Sequence, residues 1–271
     1  MNWSRDNAVT AYLDALTGIQ SLAHDLSHDE WALPTDLVGW NVFDNIAHVS
    51  ALEDELAGRP VPSSISDWSR FPHVGDPFQQ YTEVGVEHRR SWTPGELLLE
   101  LDALVAERSY QLSLLSDSPT ADMRGPAGMT MTVDRVMPIR TFDMWAHEND
   151  VRRATSREER LSGPAARVSR DRILQSMPII LAREVQAPPG TVVRWVVGEP
   201  EPRTVTVRVE EPARGAILPS GDVGADLVLA MDLRTLALLA CGRRTPDQVQ
   251  VSARGDQAFA ERVISAMAIT P

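Results

Sequence analysis

"TFDMWAHENDVRRA", residues 141–154, sets a carboxylate, Asp143, four positions ahead of a histidine, His147. Four residues make a little more than one helical turn, so in a helix both side chains leave the same face and can meet at one point. Such a pair can supply two ligands to a metal ion. A helix that ends in solvated charge has the same spacing, so the third partner must come from elsewhere. Extended upstream to "TVDRVMPIRTFDMWAHENDVRRA" (132–154), the stretch predicts a helix that Pro138 either kinks or begins.

Three further helices are predicted ahead of it. Val9, Tyr12, Leu13, Leu16, Ile19, Leu22 and Leu26 recur at three-four spacing, which gives a first helix running to about His28. Asn41 can cap a second, with Asp44 at its third position. Val42, Phe43, Ile46, Val49, Leu52 and Leu56 form its apolar side until Gly58 stops it. Thr93, Pro94 and Glu96 make a strong start for a third, over residues 93–115. Four helices of this length imply a bundle. Residues 59–92 ("RPVPSSISDWSRFPHVGDPF" and onward) lack sustained periodicity and read as a long irregular connection, the kind of segment that walls a site and sets its selectivity.

Beyond residue 155 the texture changes, so two domains are expected: a helical bundle over 1–155 and a small α+β domain over 156–271. A helix is expected near 169–186. "TVVRWVV" and "RTVTVRVEE" read as a hairpin, "ADLVLAMD" as a strand, Asp232 as the cap of a short helix through Ala240, "QVQVSA" as a further strand and "DQAFAERVISAMAI" as a closing helix. The overall class is α+β. No internal repeat is evident.

Composition narrows the chemistry. The 271 residues are 43% hydrophobic, enough for proper cores. Acidic residues outnumber basic ones by 38 to 26, a formal charge of −12 that disfavours a nucleic-acid partner. All the basic residues are arginine, a bias attributed to genome composition. The longest apolar runs, such as "MPIILA" (177–182), are too short to cross a bilayer, and no charged start followed by an apolar stretch marks secretion, so a cytoplasmic protein is expected. Cys241 is the sole cysteine. A disulfide within the chain and a cysteine-rich zinc site are therefore excluded, and any metal must use His, Asp or Glu.

Of the six histidines, His24 and His28 sit at the polar end of the first helix, and His73 and His88 lie in or beside the irregular connection. His48 differs, because it lies beside the apolar face in the middle of the second helix. His48, Asp143 and His147 together would give two imidazoles and one carboxylate, a set suited to zinc and also used by nonhaem iron. Three ligands leave a coordination position open for water or another nucleophile whose pKa the ion lowers. Asp150, three residues after His147, is placed either to orient a ligand as a hydrogen-bond acceptor or to pair with Arg153 as a surface charge. Trp40 and Trp145 either line the cavity or pack in the core.

"GWNVFDNIAHVSALE" (39–53) resembles the "GW-x-V-x-D/E-x-x-x-H" segment of the DinB-like, mycothiol-dependent maleylpyruvate isomerase family. "DMWAHENDVRRA" (143–154) resembles its later "E-x-x-x-H-x-x-D-x-R" segment, and "LLACGRRTPDQVQVSARGD" (238–256) the "L-x-G-R … V-x-x-x-GD" end of its small domain. The likeness runs in order over nearly the whole chain. It implies a DinB-like four-helix bundle followed by a small α+β domain, with a divalent metal, usually zinc, held by His48, Asp143 and His147. It also implies mycothiol as thiol cosubstrate and a small electrophile as substrate, with either cis–trans isomerisation or thioether formation as the outcome. Arg243 matches the family's Gly-Arg and could clamp a carboxylate of the substrate or the thiol, though a helix-terminal arginine on backbone carbonyls would look the same. Where the family usually has Glu, this chain has Asp143. One methylene shorter, it would draw the ion closer to the helix or leave a gap for water. A hydrolase using metal-activated water, or a binding protein that keeps the bundle without chemistry, is the alternative.

Overall fold

The computed structural model describes residues 4–63, 65, 67–115, 118, 120–219 and 223–270. The chain folds as two compact units, Asn2–Val168 and Ser169–Pro271.

In the first unit, α1 (Arg5–His24), α2 (Val42–Leu56), α4 (Pro94–Ser113) and α5 (Val133–Ala154) form the expected bundle. α1 packs on α4 and α5, and α2 packs on the same two, which closes a four-helix ring. The starts are those the residues dictate. Asn41 and Asp44 exchange backbone amides in a capping box at 2.9 and 3.0 Å, and Thr93 with Glu96 does the same for α4. Inside the ring Ala11, Leu16, Ile19, Ile46, Val49, Leu101, Leu104 and Val136 are fully buried. α5 runs unbroken through Pro138.

Three features of this unit depart from the sequence expectation. α1 ends at His24, and a 3₁₀ turn, His28–Ala32, follows. A short hairpin, β1 (Asp122–Arg124) with β2 (Thr130–Thr132), precedes α5. Most consequentially, the 59–92 connection is not wholly irregular: α3 spans Pro77–Arg89 and packs on α2. Its start is chemical rather than periodic. The Asp76 carboxylate accepts from the Phe78 and Gln79 amides at 2.8 and 2.9 Å, and Pro77 sits where no amide is needed. Gly85 sets the spacing to α2, since a Cβ there would stand 2.6 Å from that of Ala51.

The polar stretch after residue 155, assigned by texture to the second domain, is tied to the bundle instead. Arg160 donates to the Asp14 carboxylate at 2.9 Å, and its carbonyl accepts from the Trp145 indole at 2.6 Å. The Ala165 amide donates to Asp14 at 2.9 Å. The border accordingly falls at Val168, within α6 (Pro164–Leu174), in place of the expected 155.

In the second unit the helix expected near 169–186 is α6 followed by a separate short turn, α7 (Met177–Ile179), which continues as a π-type turn through Glu184. β3 (Val192–Val197) and β4 (Arg203–Glu210) form the expected antiparallel hairpin. The sheet order is β5-β4-β3-β6-β7, with β5 (Arg214–Ile217), β6 (Leu227–Met231) and β7 (Ser252–Arg254), and the β3–β6 pair is parallel. β5 carries no alternation and was not expected. β7 is confined to the end of "QVQVSA" and Arg254. α8 (Leu233–Ala240) is capped by Asp232 as predicted, and α9 (Gln257–Ser265) by Asp256. Among the described residues no helix is long and apolar enough to cross a membrane.

Candidate metal centre

α2 and α5 are neighbours in the ring, and each turns a histidine inward. His48 is 3% exposed and His147 7%. Asp143, one turn before His147, lies between them: its Oδ1 stands 3.5 Å from His48 Nε2 and 3.7 Å from His147 Nε2, and its Oδ2 stands 3.3 Å from His48 Nε2. The imidazole centroids are 4.6 Å apart. Among the described residues these three form the group that could hold a metal ion, with all ligand atoms within 4.8 Å of one another.

The residues fit an ion. Ligands about 2.0–2.2 Å from a tetrahedral zinc stand roughly 3.3–3.6 Å apart; the carboxylate lies 3.3 Å from His48 Nε2, within that range, and 3.7 Å from His147 Nε2, just beyond it. The donor set is the two-imidazole, one-carboxylate set of catalytic zinc. Asp143 is also the accessible member: its side chain is 28% exposed, against 4% and 9% for His48 and His147. The exposed side of the group is thus that of Asp143.

Protonation favours ligation. Burial pushes the His48 pKa down to about 4, so the ring is neutral at pH 7 and its lone pair is available. Burial acts to raise the Asp143 pKa, but the Arg140 guanidinium, with His48 behind it, holds the carboxyl well below the usual range. His147 has its tautomer set by Asn45, whose Oδ1 is 2.7 Å from His147 Nδ1. Asn45 Nδ2 is spent as a donor on Thr35 Oγ1 and the Asn41 carbonyl, at 3.1 and 2.9 Å. The Asn45 oxygen therefore accepts, Nδ1 carries the proton, and Nε2 is left bare toward Asp143. His48 Nδ1, buried on the opposite side of its ring, has no hydrogen-bond partner among the described residues.

A charged lattice underlies the site. Arg140 donates from Nη1 to Asp143 Oδ2 at 2.6 Å, and from Nε and Nη2 to Glu53 Oε1 at 3.1 and 2.8 Å. Glu53 also accepts from Arg108 Nε at 3.1 Å and from the Tyr12 hydroxyl. On the other flank Trp40 tilts over both imidazoles, 5.0 Å from His48 and 5.8 Å from His147. Its indole donates to Glu83 Oε2 at 2.7 Å, and the same oxygen is 3.0 Å from His73 Nε2. Gly39, at φ +86, leaves room for the His73 ring, where a Cβ would come within 2.3 Å. The turn that presents Trp40 and the 59–92 segment are locked together in this way.

Of the other residues singled out in the sequence, Asp150 is 1% exposed, so it is no surface charge. It pairs with Arg153 and stands 3.9 Å from His147 Nδ1, beyond hydrogen-bond reach. Asn45 holds the acceptor position instead. Arg243 follows α8 in the second unit and donates to the Cys241 carbonyl. Cys241 is buried. Trp145 is core, with its indole on the Arg160 carbonyl, whereas Trp40 belongs to the site. Asn45, Glu53, Arg140 and Glu83 were not anticipated. Asn45 and Arg140 stand among buried residues of α2 and α5, a local signal that could have found them, whereas Glu53 and Glu83 are marked only by partners on other elements.

No curated protein matches the chain significantly. Two solved structures share its fold. One is titled a crystal structure of the mycothiol-dependent maleylpyruvate isomerase, 16% identical, with a TM-score of 0.57 over 93% of this chain and 95% of that one. The other is a histidine-to-alanine mutant of an enzyme with the same title, 15% identical, with the same TM-score and coverage. The model of the mycothiol maleylpyruvate isomerase N-terminal domain matches residues 12–152, which carry α2, α5 and all three candidate ligands. With more than half of its length under that match, the chain belongs to the mycothiol maleylpyruvate isomerase N-terminal domain family.

Proposed function

We propose that the protein is a divalent-metal-dependent cytoplasmic enzyme that activates a low-molecular-weight thiol, mycothiol, for attack on a small electrophile. The observation that carries this reading is the convergence of His48, Asp143 and His147, whose ligand atoms all lie within 4.8 Å of one another beside an exposed flank. Membership of a family named for a mycothiol-dependent isomerase supports mycothiol as that thiol. Zinc is the ion the donor set favours. When bound with an open position, such an ion lowers the pKa of a thiol from its ordinary value of about 8.5, so that thiolate is present at neutral pH.

The chain's own residues prepare that chemistry. Burial keeps His48 neutral, Asn45 fixes the proton of His147 on Nδ1, and Arg140 keeps Asp143 ionised. Trp40 shields the imidazoles from water on one side. Asp150 adds negative charge beneath His147 without bonding to it.

An alkene conjugated to a carbonyl is a fitting electrophile. Sulfur adds to one alkene carbon while the π pair moves to the carbonyl oxygen. The new single bond rotates, and return of the electron pair expels the thiolate and leaves the trans isomer. Retention of sulfur, with protonation of carbon, gives a thioether instead. Turnover of maleylpyruvate by the purified protein, with mycothiol present and with every small thiol removed, tests the reading. Strict thiol dependence is expected. Undiminished turnover without thiol would favour a hydrolase, and an empty site with unchanged stability after chelation would favour a binding protein.

A further inference from the structure

We propose that Arg140 is a positioning residue that reserves one oxygen of Asp143 for the ion and withholds the other. The proposal deepens the metal-site reading and rests on it. The two oxygens of Asp143 stand in different settings. Oδ1 stands 3.5 Å from His48 Nε2 and 3.7 Å from His147 Nε2, and Oδ2 stands 3.3 Å from His48 Nε2, so proximity to the imidazoles alone does not select one oxygen. Oδ2 is taken by Arg140 Nη1 at 2.6 Å, the distance of a charge-assisted bond. A carboxylate so engaged offers the ion a single oxygen, whereas a free one can turn and offer both.

Arg140 is itself held in place. It is 1% exposed, and its Nε and Nη2 both close on Glu53 Oε1, at 3.1 and 2.8 Å. Glu53 is fully buried and is fixed in turn by Arg108 and by the Tyr12 hydroxyl. Tyr12 stands on α1, Glu53 on α2, Arg108 on α4 and Arg140 on α5. Every helix of the bundle thus contributes one member to a chain that ends on Asp143 Oδ2. The charges balance: two guanidinium groups face two carboxylates, so the lattice holds Asp143 without drawing on the ion. The shorter acid makes the clamp consequential, because Asp143 has one fewer rotatable bond than Glu with which to correct a misplaced oxygen.

The test uses the full chain with Co²⁺ as the probe. Affinity is read by competition with a chelator, and coordination by visible absorption, which is strong for four-coordinate and weak for five- or six-coordinate cobalt. R140Q is expected to bind 10- to 100-fold more weakly than wild type, the usual cost of removing a group that orients a ligand. Its visible band should lose intensity as the released oxygen joins the ion. R140K keeps the charge and should recover part of both. R140Q that matches wild type in affinity and spectrum overturns the positioning role. Wild-type protein that takes up no cobalt overturns the metal reading and this proposal with it. Should R140Q fail to fold, a metal-soaked wild-type crystal decides: Arg140 still on Oδ2 with Oδ1 alone on the ion is expected, and both oxygens on the ion overturn the proposal.

Discussion

Asn45→Ala removes the group that fixes the His147 tautomer and leaves all three ligands intact. Asn45 is fully buried and makes three hydrogen bonds: from His147 Nδ1 at 2.7 Å, and to Thr35 Oγ1 and the Asn41 carbonyl at 3.1 and 2.9 Å. Without the acceptor, the His147 proton no longer has a reason to sit on Nδ1, and the tautomer with hydrogen on Nε2 cannot ligate through that nitrogen. Loss of such an orienting partner costs about 10- to 100-fold in metal affinity, which is roughly 1.4–2.8 kcal/mol. The metal-free protein should also lose about 1–3 kcal/mol, because buried polar groups are left unpaired. Asn45→Asp separates the two effects. It keeps an acceptor for His147 but can no longer donate to Thr35 and Asn41, so it should hold metal within about threefold of wild type while the metal-free form is destabilised. Chelator competition at pH 7.5 and urea denaturation in excess chelator measure the two quantities. Wild-type affinity in Asn45→Ala, or equal weakening in both variants, would refute the tautomer argument.

The metal-free protein should lose stability on acidification through His48. Its folded pKa of about 4 lies below the usual 6.5, so between those values the unfolded chain binds a proton that the folded chain refuses. The contribution is complete above pH 6.5 and is lost as pH falls toward 4, by roughly 3 kcal/mol in total; denaturation at several pH values should show the slope, and His48→Gln should flatten it. Asp76→Ala removes the acceptor for two amides at the start of α3 and should cost about 1 kcal/mol by urea denaturation; no loss would mean the helix starts without its cap. Zinc at a hundred times its dissociation constant should stabilise the fold by about 2.7 kcal/mol; a thermal melt that does not respond to zinc or to its removal would contradict a preformed site.

Much of this was legible in the sequence where the signal was local. Asn41 with Asp44 and Thr93 with Glu96 announce α2 and α4 by caps that the structure reproduces bond for bond. The i, i+4 spacing of Asp143 and His147 needs only a helix to bring the side chains together. His48 could be added because it stands beside an apolar face and so is bound to turn inward. α3 escaped notice because its inner face is short and includes Glu83, Gly85 and Arg89, which read as surface or turn until the partners on α2 and α4 are known. Arg89 is satisfied by Glu100, with two bonds of 2.7 Å, a pairing across elements that spacing cannot show. Glu53 is hidden for a similar reason: between Leu52 and Asp54 it looks like one of a run of acids, and only Tyr12, Arg108 and Arg140 mark it as buried. Asp150 illustrates the reverse case. Its spacing to His147 was right for an acceptor, but Arg153 takes the carboxylate and Asn45, one helix away, reaches His147 first.

Metal content after exhaustive dialysis against chelator-free buffer bears most directly on the whole account, measured on wild type and on His48→Ala, Asp143→Ala and His147→Ala after reloading with zinc. One ion per chain is expected in the wild type, and little or none in any of the three variants once each has been shown to fold. An equal zinc content in wild type and all three would contradict the assignment of the ligands.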